Sequence, residues 1–465
     1  MIIDVMKNTL TGFSYSQQFF QQLTHQALQH AKKLGATDAA CEVSEGVGLS
    51  VSCRLQELEN VERNRDKSLG VTVYVGQSRG NASTSDFSDS AVAQTVQAAY
   101  DIARFTARDE MSGLPELDDY AKFPNGKQPD LDLFHPWDIN SEQALAIALR
   151  CEAAAMATDK RITNSEGAGV SAQQSHFWTA HLRGSDIAFE GGYASSRHSL
   201  SVAPIAGKGD FMQRDSWHTS MRNAADMASP EVVGRYAAER ALARLHAKKL
   251  STRSCPVLFE SSMAVGLLGG YVQATSGGAL YRKTTFLVDS LGRKVFPKHI
   301  QILDDPFVVG GKGSSPFDEE GVQTYKRQVV ADGKVEGYFL SSYSARKLGM
   351  KSTGNAGGSH NLTLTSTKTK KGDNLDAMLQ KLGTGLFVTE LMGQGVNYVT
   401  GDYSRGASGY WVENGRIVYP VHEITIAGNM KEMFQGIEAV GVDTYNYGAK
   451  TIGSVLINRM KVAGS

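Results

Sequence analysis

Residues 40–64, ACEVSEGVGLSVSCRLQELENVERN, alternate apolar and polar positions, and this constrains the chain more than any other feature. Val47, Leu49, Val51 and Cys53 fall on one face of an extended strand. A strand this long needs hydrogen-bonded neighbours and a cover for its apolar face. LGVTVYVGQSRGNAST follows in the same manner and supplies a neighbour. Helices supply the cover. In residues 15–34, Phe19, Leu23, Ala27 and Ala31 recur at helical spacing and Gly35 stops the run; residues 88–107 read as a second long helix. His25 and His30 lie five apart on the first helix and read as surface or packing residues. Strands layered against helices predict an α+β fold.

Residues 108–137 are polar, contain four prolines and read as a long surface connection. A third helix is expected from about Ser141 to Asp159, and antiparallel strands over about 162–219. His176, His181, His198 and His218 lie on those strands. No carboxylate or cysteine accompanies them at ligand spacing, so they are expected on solvated strand faces. A fourth helix spans 227–249, with Ser229 as N-cap, Pro230 at its first position and Lys248-Lys249 complementing the dipole at its end. LSTRS (250–254) reads as a domain boundary, separating an N-terminal α/β domain (1–250) from a C-terminal, mainly-β domain (251–465). In the second domain CPVLFE is a strand and SSMAVGLLGGYVQ a small-residue helix. Short helices are expected near 345, 375 and 430, and Asn414-Gly415 signals a type I′ hairpin.

A chain of 465 residues is long enough for two or three domains. Hydrophobic residues at 41% and charged residues at 21% place it among ordinary globular proteins. Lys plus Arg (48) balances Asp plus Glu (48), which argues against a nucleic-acid or anionic-membrane surface. Cys41, Cys53, Cys151 and Cys255 are scattered and read as reduced core thiols. The first residues, MIIDVMKNTLTGFSYSQQF, lack a basic start followed by an apolar run, and no apolar stretch approaches 18 residues. The expectation is a cytoplasmic protein with neither signal peptide nor membrane span.

Three chemistries are testable by spacing. His422-Glu423 in VHEITIAGN has no second histidine after it, and its β-branched alternation is that of a strand, so a zinc helix is excluded there. VVGGKGSSPFDEEG (308–321) imitates a phosphate loop, but Gly313 stands where Ser or Thr must follow the lysine and Pro306 where the first glycine belongs; it reads as a flexible glycine loop. No G-x-S-x-G is present. The residues alone therefore certify no catalytic constellation.

Four longer stretches, SRGNASTSDFS (78–88), 315–358, 383–415 and VHEITIAGNMKEMF (421–434), resemble the TldD/PmbA family in its PmbA (TldE) branch, over roughly residues 15–463. That family was once described as modulators of DNA gyrase and is now regarded as a peptidase system. The resemblance implies a two-domain α+β architecture. It also implies a complex in which a TldD subunit holds zinc on an H-E-x-x-x-H helix plus a later cysteine, and cuts unfolded peptides such as leader segments and an antitoxin.

Aligned on the family's G-L-x-G ending, Gly266-Leu267-Leu268-Gly269, the zinc positions of this chain are occupied by Glu260, Ser261 and Val265. Ser261 is no general base and Val265 has no lone pair. The later cysteine should fall near Val399-Thr400-Gly401, where none stands. The resemblance thus implies no cofactor in this chain, with zinc in a TldD-like partner subunit and a homodimer as the other assembly open to the chain alone. Substrate contacts are expected in the glycine-rich, charged loops, at Arg282, His360, Asp402 and Arg405. Two other functions stay open: a regulatory binding protein acting on gyrase or other regulators without proteolysis, and an independent peptidase with an unrecognised site, for example the strand histidines at 176–218.

Overall fold

The computed structural model describes residues 12–446 and 448–464; most of the N-terminal stretch read as lacking a signal peptide, residues 1–11, lies outside them. The first half builds one eight-stranded antiparallel sheet from β1 (Asp38–Arg54), β2 (Glu57–Val75), β3 (Ser78–Thr84), β4 (Ile162–Arg183), β5 (Asp186–Gly191), β6 (Ala194–Ala206), β7 (Gln213–Arg214) and β8 (Trp217–Met221). The order is β3-β2-β1-β4-β6-β7, with β5 beside β4 and β8 beside β6. Four helices, α1 (Gln17–Leu34), α2 (Asp89–Phe105), α3 (Ser141–Ala157) and α4 (Pro230–Ala243), lie on one face. Under α1 and α2 are Ala39, Cys41, Val43, Leu69, Val71 and Val73; under α3 and α4 are Leu49, Val51, Cys53, Val170, Leu200 and Val202. One strand parity thus feeds two cores, as the alternation demanded.

The second half begins with β9 (Arg253–Phe259), α5 (Ser261–Ala274) and α6 (Gly277–Tyr281). It continues through β10 (Ile300–Asp305), β11 (Arg327–Ala331), β12 (Lys334–Val335), α7 (Ser342–Leu348), β13 (Asn361–Ser366), α8 (Leu375–Leu382) and β14 (Gly385–Met392). It ends with β15 (Asp402–Glu413), β16 (Arg416–Asn429), α9 (Met430–Gln435), β17 (Ile437–Val440), β18 (Lys450–Thr451) and β19 (Val455–Ala463). Two sheets result, β12-β11-β10-β13-β18 and β16-β15-β14-β9-β19-β17, sharing a core around Tyr271, Phe296, Phe434 and Ile300. The fold is α+β. Among the described residues no helix is long and apolar enough to cross a membrane, and all four cysteines are buried free thiols.

Several expectations need correction. The connection 108–137 is not only a surface loop, because Leu114, Tyr120, Leu131 and Leu133 are buried. It cloaks part of the sheet over His181 and His198, while Phe13 and α1 cover His176, so these three strand histidines are not solvated and His218 is half-buried. His176 is sandwiched between Phe13 and Phe20 at 4.1 and 4.4 Å, His181 receives Tyr120 at 3.1 Å, and Trp137 packs edge-on to His198 at 5.4 Å. Burial holds all three imidazoles below their usual pKa, His181 down to about 4. The α4 helix stops at Ala243, and His246 takes φ +62°, so Lys248-Lys249 lies beyond its last turn. Lys248 instead donates its amide to the Pro420 carbonyl at 2.8 Å. In VHEITIAGN, Val421 joins Ile424 and Ile426 on the buried side because the β15–β16 register shifts and Glu423 takes φ +51°. Asn414 and Gly415 do adopt the positive φ of a type I′ turn, at 51° and 75°.

The turn between β1 and β2 carries no turn signal, yet Leu55 and Gln56 both have positive φ, 51° and 65°. Glu152, fully buried on α3, explains it. Its carboxylate accepts the Leu55 amide at 3.0 Å, the Gln56 amide at 2.7 Å and Gln56 Nε2 at 3.0 Å. Burial alone would raise its pKa, but these donors together hold it below the usual glutamate value. A depressed folded pKa contributes stability above the unfolded value that is lost as pH falls through the folded one. Glu152→Ala should therefore lower stability by about 3 kcal/mol at neutral pH, by urea denaturation, and the difference from the parent should shrink on acidification.

Candidate functional site

The face of the eight-stranded sheet away from the helices is polar. Ser50 pairs with Ser171, Ser171 with Ser199 and Ser199 with Ser220, so four serines stand in register across four strands. Ser50 and Ser171 share a hydroxyl hydrogen bond of 3.3 Å. The sequence signal is the Ser or other polar residue at every second position of LSVSC, GVSAQQS and HSLSV. Sequence reading used only the apolar parity of these strands and missed the polar one.

At one end this face floors a cavity of about 860 Å³, with Glu42, Ser44, Gly46, Ser175 and Thr179 below and loops 312–319 and 357–360 of the second half above. The loop read as flexible glycine is pinned here. A Cβ on Gly313 would lie 2.7 Å from the His360 carbonyl carbon, and Arg222 donates to the Gly311 and Lys312 carbonyls at 3.0 and 3.2 Å.

The cavity's charges are segregated. Glu42 has accessible surface, but it faces the cavity; desolvation and then Glu319 raise its pKa. Desolvation, then Arg197 and Arg222, pull the Lys312 ammonium down to about 8. Tyr193 lies between, hydrogen-bonded to Ser315 at 3.3 Å; desolvation raises its phenol, with Arg222 opposing and Glu42 and Glu319 adding. Burial lifts Asp318 to about 6, although its oxygens accept the amides of Glu320, Val322 and Ala356.

Of the four residues expected to contact substrate, His360 lines this cavity. It is 6% exposed, its amide bonds Asp304 at 2.7 Å and its Nδ1 faces the other Asp304 oxygen at 3.2 Å. Asn355 links that carboxylate to Arg327. Arg282, Asp402 and Arg405 lie elsewhere, on the neighbouring segments 282–286 and 396–405, which are joined by the Phe286 amide on the Tyr398 carbonyl at 2.7 Å. Arg282 stacks on Tyr281 at 5.1 Å, and Asp402, below its usual pKa, accepts from Thr400 and Asn429. Sequence reading missed Glu42, Tyr193, Arg222 and Glu319, which are 277 positions apart at the extremes and carry no motif.

At the head of α5 the structure holds an ion cluster. Glu260, the N-cap, accepts Arg240 Nη1 at 2.7 Å and the Ser262 hydroxyl at 2.5 Å. Arg240 also meets Asp215 at 3.3 Å, and Arg244 bridges Asp215 and Glu390. Desolvation would lower the Arg240 pKa, but Glu260 and Asp215 raise it above the ordinary value. Ser261 is buried and Val265 offers no donor atom. These residues do not fit a zinc ion: the one carboxylate among Glu260, Ser261 and Val265 is already engaged by a guanidinium, and no histidine or cysteine stands beside it. Among the described residues, no three of His, Cys, Asp or Glu gather to hold a metal.

Comparison with known proteins places the chain. Residues 39–103, 134–245 and 252–464 match the PmbA/TldA metallopeptidase domain 1, central domain and C-terminal domain. The chain is 46% identical over 447 residues to the metalloprotease PmbA of Escherichia coli O157:H7, covering 96% of this chain and 97% of that one. The chain belongs to the PmbA/TldD metallopeptidase family. A crystal structure from Bacteroides thetaiotaomicron, described as a modulator of DNA gyrase, superimposes with TM-score 0.87 at 26% identity over 97% of this chain and 100% of its own. TldE from Thermococcus kodakarensis shares the fold, with TM-score 0.82 at 19% identity over 95% of this chain and 100% of its own. The PmbA/TldD match covers both the cavity loops and the ion cluster.

Two measurements follow from this geometry. Arg240→Ala, which strands two carboxylates, should cost about 3–5 kcal/mol, and adding Glu260→Ala should restore part of it. Strictly additive losses in denaturant titrations would rule the cluster out. Asp318 should titrate near 6 by carboxyl NMR. Because its folded pKa is raised, its contribution favours folding below the unfolded value of 3.8 and is lost as pH rises towards about 6.

Proposed function

We propose that this chain is a substrate-holding subunit of a PmbA/TldD-type metallopeptidase complex, in which a TldD-like partner supplies zinc, water and general base. Its substrates are unfolded peptides, degraded or trimmed as in antitoxin turnover and leader-peptide maturation. The observation that carries this reading is Glu260 bound to Arg240 where the family resemblance would put the first metal ligand. A chain of a metallopeptidase family whose donors do not suit a metal needs that metal from a second chain. The polar serine face supports it too, since hydroxyl and backbone partners serve extended peptides of any sequence. His360 is a contact within the cavity; Arg282, Asp402 and Arg405 are contacts proposed for peptide extending beyond it. We take 1–250 and 251–465 as the two domains and the cytoplasm as the compartment.

The gyrase-modulator name of the Bacteroides structure favours a second reading, regulation by binding without proteolysis. The strand histidines do not support a third, an independent peptidase, since His176, His181 and His198 are buried among their own partners and half-buried His218 packs against Trp217 and Tyr445. Mixing the purified chain with a TldD-like partner should give cleavage of an unstructured peptide that chelator abolishes. Equal cleavage by this chain alone, with stoichiometric zinc in it, would overturn the proposal. A pull-down that recovers gyrase and no TldD-like chain would favour the second reading.

A further inference from the structure

The helix-side parity of the sheet is apolar under each pair of helices and polar in the seam between the pairs. Along β2 it reads Val71, Leu69, Lys67, Arg65, Arg63, and along β6 it reads Val202, Leu200, His198. The seam holds a second cavity of about 300 Å³, walled by Trp137 and Ile139. Strand register sets its floor. Arg63 pairs with Leu49, Leu49 with Ala172 and Ala172 with His198, so the four stand in one row on one face of four adjacent strands. Three strand spacings, about 14 Å, separate the backbones at the two ends of the row. All four residues line the cavity.

Both ends of the row lack a partner, in complementary ways. His198 is 1% exposed, and its Nε2 faces the His135 carbonyl at 2.8 Å. A carbonyl only accepts, so the ring proton is on Nε2 and Nδ1 carries a lone pair. Burial keeps the ring neutral, and Nδ1 is enclosed without a hydrogen-bond partner. At the other end Arg63 is exposed at the mouth, with no hydrogen bond or ion pair among the described residues. Arg65, two positions on, differs: Glu45, Ser14 and the Gly12 carbonyl engage it. Between the ends lie apolar Leu49 and Ala172, and Trp137 stands edge-on to His198 at 5.4 Å. An apolar floor, an aromatic wall, one cation and one buried acceptor describe a site for a single small ring, and the volume is at the lower end for such sites.

We propose that this seam binds a small aromatic acid, with its carboxylate at Arg63, its ring over Leu49 and Ala172 against Trp137, and a hydroxyl or N–H at the far end of the ring donated to His198 Nδ1. The reverse orientation fails, because the lone pair of a neutral imidazole repels a carboxylate. The site stands on the helix side of the sheet, opposite the serine face. Its occupation needs neither a partner subunit nor a metal, and it goes beyond the proposed function without resting on it.

The probe is 4-hydroxyphenylacetate, titrated calorimetrically into the full chain alone at pH 7 and low salt. Phenylacetate lacks the donor and tyrosol lacks the charge, and each should bind about fivefold weaker or worse. Arg63→Gln, at an exposed position, should bring 4-hydroxyphenylacetate down to the affinity of tyrosol and leave tyrosol itself unchanged. In the parent chain, nitrogen NMR should show the His198 Nδ1 resonance shift on saturation with 4-hydroxyphenylacetate but not with phenylacetate. A peptide ending in tyrosine carries the same two groups, and N-acetyltyrosine separates the two sources. Tighter binding of N-acetyltyrosine than of 4-hydroxyphenylacetate assigns the site to peptide ends; weaker binding assigns it to free acids. Equal affinity for 4-hydroxyphenylacetate, phenylacetate and tyrosol, no saturable binding up to about 10 mM, or an unmoved affinity in Arg63→Gln would overturn the proposal.

Discussion

The guanidinium of Arg240, 12% exposed, stands between Asp215 of the first half and Glu260 of the second. A buried cation with two carboxylates in contact tolerates little displacement, because moving either one away leaves an uncompensated charge in a poor dielectric. Such a cluster contributes modestly to net stability but strongly to geometry. It fixes α5, and with it β9, against α4 and the loop before β8. Arg244, bonded to Glu390 and near Asp215, repeats the arrangement one helical turn later. The cavity exists because the loops of one half are held over the sheet of the other, and this junction is one of the contacts that hold them.

The same cluster bears on chemistry. Glu260 is the one carboxylate among the three positions where the family resemblance would put zinc-site residues, and its oxygens are taken by Arg240 and Ser262. A carboxylate so engaged completes its electrostatic demand within the fold. The sheet shows a parallel division of labour. One strand parity, Leu49, Val51, Val170, Leu200, is buried under helices, while the other, Ser50, Ser171, Ser199, Ser220, is kept polar. A single run of alternation therefore makes both a core and a polar sheet face.

Much of this was legible in the sequence. The helices at 17–34, 89–105 and 141–157, the short helices at 342–348, 375–382 and 430–435, and the Asn414-Gly415 turn follow from periodicity, caps and turn chemistry, which act over a few residues. The family followed from long ordered motifs. Less legible were features set by distant neighbours. Leu55-Gln56 turns because Glu152, nearly a hundred positions on, accepts its amides. His181 and His198 read as solvated because nothing local shows that the 108–137 connection folds back over them, nor that Phe13 and Phe20 enclose His176. The glycine loop at 308–321 looked slack because its partners, Arg222 and His360, lie on other elements.

The sequence by itself determined the local conformations, the apolar parity of the strands, the family, and the absence of histidine at positions 260, 261 and 265. These depend on residue identity and spacing along the chain. Only the tertiary structure decided which charges meet. Glu42 with Glu319, Lys312 with Arg222, His360 with Asp304 and Arg240 with Glu260 are pairings across the fold. Coulombic and hydrogen-bond energies depend on distance and desolvation, and neither exists for these groups until the sheet and the second half close on one another.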